Sequence, residues 1–480
     1  MKLRNNIASI ICIKPFFLYL CFLFNAIPIF AQTSSIKSGN PAIILSEYIK
    51  IKSVQGNESK AGKFLYDYCK DKGLYVRLFS DSDSSYNFAA SLYPLDLKKP
   101  NIILLNHLDV VPAYDSVKWK FHPFSGAIYN NKVWGRGAID CKGLAVIQMM
   151  ALFSFIEKSK LENYPYNVTM LCVSGEETNS KYGAELITKT YLNDLNPLVV
   201  FGEGGSGVNN IFTSDINKPI FGISVAEKRS LWLKLEIHSE SFGHGASSSD
   251  LYANKKLLRT LIKLMDEKKR IKFDPVLINM FKQLGSLEKG FKGFVIRHIN
   301  WDIFWPIVRN QFNEGEFLNL LTYNTITITN ISNPKSSPNQ MADKATAIID
   351  CRLLPGTDSL KFLKKFKNIV GPKVKVSVLS ISPEAPSSPI DSFYISMEKA
   401  IHKIYPECEV IPMLFPATSD NNYFRKEGIN TYGILPSIIT IEQIESVHNN
   451  DEHISIEGLK KGIDVYIEFI RSVNESPSPN

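Results

Sequence analysis

A chain of 480 residues, 44% apolar and 21% charged, is neither disordered nor fibrous, and it is long enough for two domains that each bury a core. Its formal charge of +8 is spread along the sequence. Short basic runs such as Lys268-Lys269-Arg270 stand alone and no nucleic-acid-binding motif accompanies them, so the expected partners exclude nucleic acid.

Lys2 and Arg4 precede an apolar run from Pro15 to Phe24, and Ala31 stands where a leader can be cut. The run is short for a spanning helix and leads into Thr33-Ser34-Ser35, so residues 1–31 read as a cleaved secretory signal rather than an anchor. A secreted or periplasmic protein follows, with no membrane span in the mature chain. Cys12 and Cys21 leave with the signal. Cys69, Cys141, Cys172, Cys351 and Cys408 are scattered and form no C-x-x-C pair, which indicates neither a disulfide framework nor a thiolate zinc site.

Residues 40–75 have helical periodicity. The near-continuous apolar runs Asn101–Asn106, Val168–Val173 and Leu198–Phe201 read as strands buried on both faces of a parallel sheet, with a helix from about Gly143 to Glu157 between the first two. Alternating helices and strands make this an α/β domain, a doubly wound and mostly parallel sheet. Near residue 222 the pattern changes. The strand Leu231–His238 alternates apolar and polar positions. A helix at about Tyr252–Lys268, strands at Asn324–Thr329 and Ala345–Asp350, a helix at about Ser359–Ile369 and a strand at Val374–Leu379 follow. That order is the ferredoxin-like βαββαβ pattern, ended by Pro383, Pro386 and Pro389. Residues 274–319 are inserted into it and are rich in aromatics, among them Phe281, Phe291, Phe294, Trp301, Phe304, Trp305 and Phe312. They form either a local packing cluster or an apolar wall for a substrate or partner subunit. After residue 390 the chain returns to the first domain.

Acids and histidines cluster where the predicted strands end. His107, in Asn-His-Leu-Asp-Val-Val-Pro, follows a buried strand, and in open α/β sheets ligands bind beyond the carboxyl ends of such strands. Asp109 can accept the other ring N–H if the strand geometry persists. Asp140, in Trp-Gly-Arg-Gly-Ala-Ile-Asp-Cys-Lys-Gly, precedes a helix and can serve as an N-cap, as a bridging ligand, or as both. Glu176 and Glu177 sit side by side in Ser-Gly-Glu-Glu-Thr. Two adjacent carboxylates need cations unless solvated, and one can bind metal while the other works on water. Glu203 follows a third strand in Gly-Glu-Gly-Gly, which lacks the spacing of a phosphate loop. His448 is the late histidine in Val-His-Asn-Asn-Asp-Glu-His-Ile, with His453 as its competitor. Mixed imidazole and carboxylate donors suit zinc, with cobalt or manganese as alternatives.

Taken together, these motifs resemble the dizinc aminoacylase and carboxypeptidase family, to which acetylornithine deacetylase, glutamate carboxypeptidase and carboxypeptidase S belong. The resemblance runs from about residue 42 to 470 and is closest to the branch of carboxypeptidase S and the secreted N-fatty-acyl-amino-acid hydrolases. It implies a catalytic domain over 32–222 and 384–480, with an inserted lid and dimerisation domain over 223–383. It also implies two zinc ions per subunit. His107 and Glu203 would hold one and Glu177 and His448 the other, with Asp140 as the bridge, Glu176 as general base and Asp109 orienting His107. In the smaller domain, His244 in Ser-Phe-Gly-His-Gly matches the histidine that polarises the scissile carbonyl, often from the partner subunit. Asn339 matches an asparagine of the substrate site, and Arg352 an arginine associated with the substrate carboxylate. The chain departs from the family at Cys141, where an acidic residue or methionine is usual, at Gln340-Met341-Ala342 after Asn339, and in the residues after His244. The implied reaction is hydrolysis of N-acyl-amino acids or short peptides with a free carboxylate. Rival readings are amide condensation in the same site, a biosynthetic deacetylase and a non-catalytic binding protein. A homodimer through the lid is the expected assembly.

Overall fold

The computed structural model describes residues 39–475 apart from 84, 210–217, 241–242, 247–251, 302, 305–319 and 334–338. The expected signal at 1–31 lies outside the described residues, as do Trp305 and Phe312. The fold described here is that of the compact unit Pro41–Asn480.

Strands β1 (Tyr75–Ser82), β2 (Ser85–Ser91), β3 (Asn101–His107), β4 (Ala127–Tyr129), β5 (Lys132–Trp134), β6 (Asn167–Val173), β7 (Pro197–Val208) and β8 (Ile220–Glu227) come first in the chain. They are followed by β9 (Arg229–His238), β10 (Thr325–Ser332), β11 (Lys344–Leu353), β12 (Lys375–Ile381), β13 (Glu409–Phe415), β14 (Asn430–Ile438) and β15 (His453–Ser455). The large sheet has eight strands in the order β1-β2-β6-β3-β7-β14-β8-β13. Its centre, β6-β3-β7-β14, is parallel. Every residue of β3 and β6 is buried, because helices cover both faces. On one face the helix Lys142–Phe153 lies against the C-terminal helix Ile456–Asn474, within one core that also holds Ile102, Leu104, Val168, Met170 and Phe469. The doubly wound reading therefore holds. Five strands of this sheet were not located in the sequence, β13 and β14 among them. β1 and β2 form an antiparallel edge, and β8 crosses residue 222, where the sequence pattern changes.

The smaller sheet is antiparallel in the order β10-β11-β9-β12, which is the ferredoxin-like arrangement of the expected βαββαβ unit. On β9 alternate residues Leu231, Leu233, Leu235 and Ile237 are buried. They share a core with Leu257, Leu261 and Leu264 of the helix Ala253–Met265 and with Phe366 and Val370 of the helix Ser359–Val370. Both helices thus cover the same face of this sheet. The insertion does more than pack on itself. Its helix Pro275–Leu287, capped by Asp274, sets Leu277, Met280, Phe281 and Leu284 against Ile411, Met413 and Leu414 of β13. Phe291, Phe294, Trp301 and Phe304 form a cluster of their own, with Phe291 and Trp301 largely exposed. Among the described residues all five cysteines are buried free thiols, and no helix is long and apolar enough to cross a membrane.

Candidate metal centre

His107 is the last residue of β3. Its Nδ1 donates to the main-chain carbonyl of Asp109 at 2.9 Å, which turns Nε2 toward the carboxylates. Nε2 lies 2.9 Å from Asp140 Oδ1 and 3.5 Å from Glu203 Oε2. The expected orienting partner Asp109 thus faces Nδ1 with its carbonyl and, at 3.6 Å, with its carboxylate. The carboxylate also accepts the N–H groups of Gly175 (2.8 Å), Glu176 (3.2 Å) and Glu177 (3.0 Å). β3 ends at His107, so strand alternation does not carry through to residue 109. What Asp109 shapes is the turn that presents the two glutamates.

Asp140 ends the turn Gly135–Asp140, and its peptide bond to Cys141 is cis. The helix that follows is capped at Cys141 without a side-chain bond, so the N-cap reading of Asp140 does not hold. The carboxylate is otherwise engaged. Its Oδ1 faces His107, and its Oδ2 lies 3.0 Å from His448 Nε2. His448 Nε2 also lies 3.1 Å from Glu177 Oε2. Its rival His453 is buried elsewhere, stacked on Trp134 with ring centroids 4.1 Å apart and bonded through Nδ1 to the carbonyl of Asp451.

Glu203 was expected beyond a strand end but sits inside β7. The strand continues through the glycines, and its register against β14 jumps from Gly202 to Gly205. This bulge turns Glu203 toward His107. It needs Gly204, at φ +159°, because a Cβ there would lie 2.7 Å from the Cα of Gly433.

The charges show what the pocket lacks. Burial, and then the charge of Asp140, pushes the Glu203 carboxyl up to about 8. Burial and Asp140 likewise raise Glu177, and burial and Glu203 raise Glu176 well above the usual carboxylate range. Asp140 is held low against its burial by the two histidines, and His448 is pushed up to about 11 against its burial by Asp140 and Glu177. Four partly buried carboxylates face two imidazoles, so negative charge is in surplus. Divalent cations held by hard oxygen and imidazole donors fit that surplus. His107, Glu203 and Cys141 offer donor atoms within 4.8 Å of one another, as do Asp140, Glu177 and His448. Cys141 was not expected among the donors. Burial pushes its thiol well up, which favours the neutral form.

Two supports of this pocket were missed in the sequence. Glu452, wholly buried, accepts the N–H groups of Gly137 (3.0 Å), Ile139 (2.9 Å) and Asp140 (3.1 Å) and pairs with Arg136 at 2.7 Å. Asn421 donates through Nδ2 to the carbonyl of Glu203 at 2.8 Å and to Glu227 Oε1 at 2.9 Å. Glu227 in turn pairs with buried Arg425 at 3.0 Å. The polar run Ser419-Asp420-Asn421-Asn422 follows β13, so the same strand-end rule that marked His107 points to it.

The smaller domain's candidates lie apart from this cluster. His244 and Asn339 are exposed neighbours, joined by the bridge His244–Gln340 and the bond from Gly245 N–H to the Asn339 carbonyl at 2.7 Å. Arg352 is half-buried on the face of β11 opposite the helices, and Asp350 Oδ2 holds its guanidinium at 3.0 Å. The metal pocket instead opens onto a cavity of about 400 Å³. Asp140 and Glu203 share its wall with Leu144, Met280, Leu284 and Met413, so it is mostly apolar.

The sequence model of peptidase family M20/M25/M40 matches residues 103–472, and the chain belongs to that family. It is 24% identical over 413 residues to a probable carboxypeptidase S-like protein 2 of Dictyostelium discoideum, covering 84% of this chain and 77% of that one. It is 26% identical over 394 residues to the N-fatty-acyl-amino acid synthase/hydrolase of Mus musculus, covering 78% of this chain and 75% of that one. In fold it is similar to an M20 family metallo-carboxypeptidase from Sulfolobus solfataricus, with a TM-score of 0.66 and 20% identity over 89% of this chain and 97% of that chain. The protein is a metal-dependent hydrolase.

Proposed function

We propose that this M20/M25/M40 hydrolase cleaves the amide bond of N-acyl-amino acids or short peptides that carry a free carboxylate. One observation carries the reading: the two oxygens of Asp140 face two histidines, each of which has a second carboxylate of its own. In this proposal His107 and Glu203 would hold one zinc ion and Glu177 and His448 the other, with Asp140 available to both. When bound, the cations make a water acidic near neutrality and polarise a carbonyl. Glu176, whose own carboxyl is raised, takes the water's proton and returns it to the leaving nitrogen. Asp109 fixes the turn that aims Glu176. Arg352 takes the substrate carboxylate once it is exchanged for Asp350, Asn339 lies on the same substrate side, and His244 reaches the carbonyl oxygen, from a partner subunit if the lid domain dimerises. We place the protein outside the cytoplasm, on the strength of residues 1–31.

A second reading has its own observation. The apolar cavity begins at Asp140 and Glu203 and includes Val208, five residues further along β7. That span is about 16 Å at about 3.3 Å per residue. A long acyl chain fits there, and each buried methylene contributes about 0.8 kcal/mol. The enzyme would then act mainly on fatty-acyl amino acids, in hydrolysis or in condensation.

One experiment tests both readings. Zinc-loaded protein is assayed on acetyl-, octanoyl- and palmitoyl-amino acids, alongside Glu176→Gln with its metal content measured. Hydrolysis that Glu176→Gln abolishes while keeping its metals supports the reaction, and near-normal turnover by that variant sinks it. Rising kcat/KM with chain length supports the cavity reading, and a flat series removes it alone. Product analysis from fatty acid plus amino acid separates condensation from hydrolysis.

A further inference from the structure

The chain's positive charge, spread out in sequence, is gathered in the fold. The helix Ala253–Met265 carries Lys255, Lys256, Arg259 and Lys263, and the helix Ser359–Val370 carries Lys361, Lys364, Lys365 and Lys367. Neither helix contains an acid. Their eight cations equal the formal +8 of the whole chain, so the rest of the protein is balanced. Both helices cover one face of the smaller sheet, and Arg259, Lys263, Lys361, Lys364, Lys365 and Lys367 are exposed. A groove of about 520 Å³ runs between them. Lys268, Lys269 and Arg270 join Lys361 and Lys365 along its wall, against Glu267 and Asp358.

Apolar side chains stand out from this same layer. Leu258, Ile262 and Met265 are 54%, 55% and 72% exposed. Their i, i+4, i+7 spacing sets them in one stripe, beside the stripe of Leu257, Leu261 and Leu264 that packs on the sheet. Leu360, 79% exposed, stands at the start of the second helix.

From this we infer that the two-helix layer of the smaller domain is a docking face for an anionic lipid bilayer. Exposed leucine, isoleucine and methionine beside clustered lysines match the acyl boundary and the anionic headgroups of such a surface. A second copy is a poor occupant. A two-fold contact sets each patch against itself, and here that places cation against cation, which costs several kcal/mol. A dimer through the edge strands β10 or β12 leaves this face open. Nucleic acid would use the cations but not the apolar stripe.

The test is co-sedimentation of the metal-loaded protein, residues 32–480, with phosphatidylcholine vesicles containing or lacking phosphatidylserine. The expected result is binding only to the anionic vesicles. It should reverse in about 1 M salt, where the Debye length is about 3 Å. The triple variant Lys263→Glu, Lys364→Glu, Lys367→Glu should lower the partition coefficient about a hundredfold, at about fivefold per cation lost. The double variant Ile262→Ser, Met265→Ser should lower it about tenfold with the salt dependence retained. Hydrolysis of a soluble acetyl-amino acid and the melting temperature serve as folding controls for both variants. Equal binding to both vesicle types overturns the proposal, as does binding unchanged in the triple variant. A dimer lost in the double variant without vesicle binding assigns the face to a second copy. Duplex DNA that displaces the vesicles while the double variant binds them normally assigns it to nucleic acid.

Discussion

Charge is treated in opposite ways at the two sheets. Around the carboxyl ends of β3 and β6 and the bulge of β7, four partly buried carboxylates are brought together. On the helical layer of the smaller sheet, six of eight cations are exposed. The acids need support, and the fold surrounds them with it: Asp109 on the 175–177 turn, Glu452 on the 137–140 turn, Asn421 on the carbonyl of Glu203. The displayed cations need less, because water reaches them and surface acids such as Asp358 and Glu267 pair with some of them. Substitutions should therefore be costly in the first region and cheap for the fold in the second.

The sharpest way to break this contrast is to remove the metals. Chelation should abolish hydrolysis, and readdition of zinc should restore it in a steady-state assay. It should also make stability depend on pH. The folded pKa of Glu203, about 8, lies above its ordinary value of 4.5. Its contribution is therefore complete below about 4.5 and is lost as pH rises through about 8. The raised carboxyls of Glu176 and Glu177 act in the same direction. Metal-free protein should melt progressively lower from pH 5 to 8 relative to the zinc form. Parallel melting curves would show that the acids are not in surplus.

Next in size is Glu176→Gln, for which kcat should fall by about 10²–10⁴-fold with both metals still bound. Glu452→Ala leaves Arg136 buried and unpaired and three N–H groups without an acceptor, a change that should cost about 3–5 kcal/mol in denaturant unfolding. Asn421→Ala and Asp109→Asn each remove one support from a ligand-bearing segment, and each should weaken zinc binding by about 10–100-fold in a competition titration. The smallest effect belongs to the other region. Lys364→Glu should change stability by less than about 0.5 kcal/mol. A larger loss there would mean that the cations support the fold as well as face the solvent.

Much of the metal pocket was legible in the sequence because its chemistry is local. An apolar strand followed by His107, or by Ser174-Gly175-Glu176-Glu177, announces both the strand and the acid at its end. The same holds for the βαββαβ unit, whose alternation and periodicity are carried by each segment separately. Other features could not be read in this way. The bulge at Glu203 depends on Gly433, a strand neighbour more than two hundred residues away. Asp109 gains a second role because the 175–177 turn meets its carboxylate only in the folded chain. Glu452 and Asn421 gain meaning only from the N–H and carbonyl groups they meet across the chain. β2 and β8 are wholly buried through their neighbours in the sheet.

The sequence by itself therefore determined the residue types at the metal pocket, the order of the elements and the total charge, since these depend on composition and short-range pattern. Tertiary structure decided which histidine of the pair 448 and 453 turns to Asp140, which atom of Asp109 holds His107, how the apolar cavity meets the acids, and where the net charge gathers. Those outcomes depend on distances between segments far apart in the chain, and only packing sets them.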